Sequence, residues 1–99
     1  MSEIETPLGS FKTSLKAARR VNGVGGFQEV LRRIAAFDLD TYVVVAAAGL
    51  DKKPNEIEDD VYDKGMPELV ESFSDYIGRL ANGGRPLKAA AEDATSGKA

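Results

Sequence analysis

The sequence predicts an all-α fold: a single small bundle of about five helices, with a short extended N-terminus and a flexible C-terminal tail. Three observations predict it. Apolar residues recur at helical spacing in several separate stretches. Glycine clusters punctuate those stretches at helix length, notably Asn22–Gly26, Lys64-Gly65 and Asn82–Gly84. The one valine-rich run, Val43–Val45, has no second convincing strand to pair with. The 99 residues amount to one domain with one core. The expected division is a lead-in over 1–9, a helical domain over 10–84 and a tail over 85–99.

Pro7 and Gly9 make residues 1–9 read as extended. Ser10 is the expected N-cap of a first helix over 11–22, whose inward face would be Phe11, Leu15, Ala18 and Val21 or Asn22. Asn22-Gly23 would close it, because both residues accept the left-handed conformation. The second helix, 26–37, has the clearest amphipathic pattern: Phe27, Val30, Leu31, Ile34 and Phe37.

Residues 38–50 are mixed in preference. Three valines favour a strand, whereas Ala46–Ala48 and the early aspartates favour a helix. The helical neighbours tip the reading to a central helix buried on most sides. Next comes a short helix over 55–63, with Asn55 and Glu58 spaced as a capping box and Ile57 and Val61 inward. The last helix, 67–81, starts at Pro67 and buries Leu69, Val70, Phe73, Ile77 and Leu80. Beyond Arg85 only Leu87 is large and apolar, too little to offset the entropy of ordering.

Composition excludes several chemistries. Without cysteine there are no disulfides or thiolate metal sites, and without histidine the commonest general base and metal ligand are both missing. The acidic N-terminus lacks a signal-peptide pattern. The longest apolar stretch, Tyr42–Leu50, falls far short of the ~20 residues that span a bilayer. These features predict a cytoplasmic, non-enzymatic protein with no membrane partner, cofactor or metal.

Motif tests point the same way. Asn22–Gly26 is not a dinucleotide loop, since Gln28 occupies the third glycine position and a helix precedes it; Gly-Lys-Ser/Thr is also missing. An EF-hand begun at Asp51 would place Glu56 at the obligatory glycine and Tyr62 at the obligatory glutamate. The acids of 56–63 therefore read as a solvated helix face.

Charge is unevenly spread. Residues 10–33 hold six cations against Glu29, a local +5, while residues 38–76 hold eleven acids against three lysines, a local −8. Such a dipolar surface steers a charged partner or pairs internally. The candidate partner-binding residues are the basic Lys12, Lys16, Arg19 and Arg20 and the aromatic Tyr42, Tyr62 and Tyr76. The tyrosines read as core-edge residues with wet hydroxyls or as interface anchors. Two helices around a glycine turn also suggest a small nucleic-acid-binding regulator. Against that, the chain is acidic overall and its second helix offers few base-reading side chains. A generic helical adaptor is the third reading.

The runs Phe11–Leu15, Asn22–Asp38 and Val43–Leu50, followed by Ile57 and Val61, carry a resemblance. Over residues 11–84 the sequence resembles the tail assembly chaperones of gene transfer agents and related long-tailed phages. These share a first helix, a glycine turn, a helix ending near an acidic residue, a buried alanine-rich helix ending in Gly-Leu, an acidic short helix and a final amphipathic helix. Members often carry a β-hairpin-like stretch before the first helix. Here only nine residues precede the expected helix, and that helix is unusually basic. The resemblance implies a partner such as the tail-tube or tape-measure protein, held soluble until it polymerises.

Overall fold

The computed structural model describes residues 3–85. It is a mostly helical bundle of five helices with a strand pair at its N-terminus: β1 (Glu3–Thr6), β2 (Gly9–Lys12), α1 (Leu15–Asn22), α2 (Phe27–Ala35), α3 (Leu39–Leu50), α4 (Pro54–Lys64) and α5 (Met66–Ala81). Apart from Arg85, the tail expected over 85–99 lies outside the described residues, as does Leu87.

The N-terminus corrects the sequence reading. Residues 3–12 form an antiparallel hairpin, with Glu3 opposite Lys12, Ile4 opposite Phe11, Glu5 opposite Ser10 and Thr6 opposite Gly9. Pro7 and Leu8 make the turn. The Thr6 hydroxyl closes it, donating to the Gly9 carbonyl at 2.7 Å and accepting the Leu8 N–H at 3.1 Å. Ile4 and Phe11 point inward together, as a cross-strand pair must, while Glu3 and Lys12 face solvent. A two-stranded ribbon is marginal by itself. This one is held by Phe11, which is completely buried against the helices.

Pairing of 9–12 moves the helix start. Ser14, not Ser10, caps α1, its hydroxyl accepting the Ala17 N–H at 3.1 Å. The inward face becomes Ala17 and Val21, and Leu15 turns out to solvent at 68% exposure. The close of α1 also differs in mechanism. Gly23 is right-handed at φ −65°, and the positive angles fall on Gly25 (φ 147°) and Gly26 (φ 96°), which redirect the chain into α2.

Helix α2 buries Val30 and Ile34 and stops at Ala35, short of the expected 37. Phe37 adopts φ 60° and is 47% exposed, so it leaves the amphipathic stripe. Asp38 then caps α3, accepting the Thr41 N–H at 3.2 Å.

Helix α3 is the hub. It packs against all four other helices and β2, and eight of its residues are buried. That is why its apolar residues run all round and why its period gave no face. Its end is a left-handed turn at Asp51 (φ 57°), where the Lys52 N–H reaches back to the Ala47 carbonyl at 2.9 Å.

Helix α4 begins one residue before the expected cap, because Pro54 supplies a ready first-turn φ. The cap is accordingly Lys53, whose N–H donates to the Glu56 carboxylate at 3.0 Å, rather than the Asn55–Glu58 pair. Ile57 and Val61 face inward as expected. Helix α5 buries Leu69, Phe73, Ile77 and Leu80, together with Tyr76 and Gly78, and stops at Asn82.

The core centres on four rings. Phe11 meets Phe73 edge-on at 5.3 Å and Tyr76 at 5.0 Å, and Tyr42 stacks on Phe73 at 5.2 Å. These contacts tie hairpin, hub and last helix together.

Candidate protein-docking surface

Each candidate residue has a definite place. Tyr42 and Tyr76 have no exposed surface, which corrects both the wet-hydroxyl and the interface-anchor expectations for them. The Tyr42 hydroxyl donates to the Ile34 carbonyl at 2.6 Å, and the Tyr76 hydroxyl to the Lys12 carbonyl at 2.6 Å. Each fastens one element to another. Among the described residues no buried side-chain polar atom lacks a partner. Tyr62, unlike the other two tyrosines, is 70% exposed, on α4 among the acids Glu58, Asp59 and Asp63.

Burial raises both inner phenols: Tyr42 to about 12, and Tyr76 further upward despite the opposing charge of Arg20. The unfolded phenol ionises near ~10. Below that pH both states are neutral and the stabilisation is intact. Above it the unfolded chain loses protons that the fold retains, so stability falls as pH rises. Urea midpoints taken from about pH 8 to 12 should therefore drop beyond about 10. Tyr42→Phe should flatten that drop; an unchanged slope would contradict the assignment.

The basic residues are not one surface. Lys16 pairs with Asp51 at 3.0 Å and holds that carboxyl below its ordinary range. Arg20 donates to the Ala47 carbonyl at 3.3 Å and the Lys52 carbonyl at 3.0 Å, so its guanidinium caps the end of α3. Arg32 and Arg33 both hydrogen-bond Glu29 and hold its carboxyl well below the usual range. These exposed pairs contribute little to stability, but they occupy the charges. Lys12 and Arg19 are exposed and make no ion pair among the described residues.

The surface that sequence reasoning missed is apolar. Leu15 and Ala18 form a ridge on α1 between two hollows. The hollow on the α5 side, of about 210 Å³, is lined by Thr13, Ser14, Leu80, Gly83 and Gly84. The other, of about 260 Å³, is lined by Arg19, Asn22 and Phe27. Among the described residues neither lining contains a carboxylate. A cap at Ser14 was the available signal, since it puts Leu15 in the first turn and off the face of Ala17 and Val21.

The acids gather elsewhere. A wider hollow of about 500 Å³ lies between the hairpin turn and α4–α5, lined by Pro7, Leu8, Asp60, Asp63, Lys64 and Glu68. Among the described residues there is no cluster of three or more acids arranged to hold a metal, and no helix is long and apolar enough to cross a membrane.

Compared with protein-family models, curated proteins and solved structures, the chain matches none of them.

Proposed function

We propose that this chain is a tail assembly chaperone of the gene-transfer-agent and long-tailed-phage type, acting by binding a tail protein rather than by catalysis. The observation that carries the binding half is the ridge of exposed Leu15 and half-buried Ala18 with its two hollows. An apolar surface framed by polar residues is what a protein partner covers.

The tail half rests on the resemblance over residues 11–84, and two structural features support it. A hairpin precedes the first helix, as in many members, and it occupies residues 3–12. The alanine-rich helix is buried and ends in Gly49-Leu50. The nucleic-acid alternative loses support, because Lys16, Arg20, Arg32 and Arg33 are engaged within the fold.

Co-expression with candidate tail-tube and tape-measure proteins is the test. One of them should co-purify with the chain and gain soluble yield. If neither binds while the chain is folded by circular dichroism, the tail reading fails.

A further inference from the structure

We propose that the α1 ridge docks an acidic amphipathic helix of a partner protein, whose apolar side chains enter the two hollows beside Leu15 and whose carboxylates meet Arg19 and Arg85. This rests on the reading that the chain binds protein, and adds the site and the chemistry of what it binds.

Shape supplies the first argument. The hollows share Leu15 and Ala18 as their dividing wall. Side chains one helical turn apart on a partner straddle such a wall, which is how one helix packs its ridges into the grooves of another. Leu15, at 68% exposure, is the largest apolar side chain on the wall and gains most from being covered.

Charge supplies the second. Arg19 lines the hollow beside α2. The Arg85 guanidinium lies beside Gly83 at the other hollow, 3.3–3.5 Å from where a Cβ on that glycine would stand. Among the described residues neither arginine has an ion pair and no carboxylate lines either hollow. Lys16 and Arg20, on the same helix, are committed to Asp51 and to the end of α3. The surface therefore presents two guanidiniums flanking an apolar wall. That combination favours carboxylates beside leucine-like side chains and rejects a basic helix. The apolar wall distinguishes this from a nucleic-acid face, for which phosphate contacts dominate.

The probe is a stapled helical peptide of about 16 residues, long enough to stay helical, with leucines at i, i+4 and i+7 and flanking glutamates. Its counterpart carries lysines in place of the glutamates. With the full-length protein, the acidic peptide should shift the amide resonances of Leu15, Ala18, Phe27 and Gly83. It should bind at least about tenfold tighter than the basic one, and weaken with added salt. Leu15→Glu should reduce its affinity at least about tenfold with unchanged thermal stability, because the side chain is exposed. Arg19→Glu, on another exposed side chain, is the second variant and should weaken binding and lessen the salt dependence.

Equal binding of both peptides, shifts confined to the Pro7–Glu68 hollow, or indifference to both variants would overturn the proposal. So would displacement of the acidic peptide by duplex DNA of equal charge at lower concentration. Self-association abolished by Leu15→Glu would assign the ridge to a second copy instead, which also overturns it. Failure here is separable from failure of the tail reading. A tail protein that binds Leu15→Glu and the unmodified chain equally removes this site and leaves the chaperone. Peptide binding at the ridge with no tail partner does the reverse.

Discussion

Phe11→Ala is expected to lower the unfolding free energy by about 3–5 kcal/mol, the usual cost of emptying a buried phenylalanine site. The ring has no exposed surface and meets Phe73 and Tyr76 edge-on at 5.3 and 5.0 Å. Those aromatic contacts add to the area it buries. Collapse around the void is restricted, because Phe11 sits on a strand fixed by pairing with Ile4 and its neighbours come from α3 and α5. For a domain of this size the loss is a large share of total stability. Urea denaturation followed by circular dichroism checks it, and a midpoint close to that of the unmodified chain would refute the role given to this ring.

Gly49→Ala is expected to destabilise as well, against the rule for helices. Alanine in place of glycine within a helix ordinarily gains about 1 kcal/mol. Here a Cβ at position 49 would stand 2.4 Å from the Phe11 Cγ, 2.6 Å from Cδ2 and 2.8 Å from Cβ. Those are the root of the side chain, not a flexible end, and their strand cannot retreat without unpairing. Overpacking of this kind costs about 1–3 kcal/mol, so the clash should win. A double-mutant cycle is the sharper measurement. In the Phe11→Ala background the penalty of Gly49→Ala should shrink, because the ring it collides with has gone. Equal penalties in both backgrounds would show that the glycine serves something other than this approach.

The two substitutions also mark what the sequence disclosed. Helices α2, α4 and α5 were legible because each has a one-sided apolar stripe and a glycine or proline at its boundary. Helix α3 was harder, since burial on all sides removes the stripe; its mixed preference was tipped to helix by its helical neighbours and the want of a convincing partner strand. The hairpin was not legible. Strands of four residues offer only Ile4 and Phe11 as a clear inward pair, while Phe11, Leu15, Ala18 and Val21 happen to fit a helical period. That coincidence also hid the docking ridge, because an apolar residue at helical spacing reads as core. Leu15 is exposed only because the helix begins after Ser14. Arg19 was legible as an exposed cation. What neutralises Lys16, Arg20, Arg32 and Arg33 depends on which elements meet, and only the partners of the last two are close in sequence.

The Tyr76 hydroxyl reaches the Lys12 carbonyl across 64 positions of sequence, and Phe11 is sealed by Phe73 from the same helix. The hairpin is therefore completed by a helix made well after it. Until α5 emerges, the hairpin has neither its ring neighbours nor the phenol that ties down its end, and a two-stranded ribbon alone is marginal. Contacts this distant in sequence require a long loop to close before they contribute. Completion of the hairpin thus waits for α5, and a chain halted within α4 would leave Phe11 exposed as a target for proteolysis.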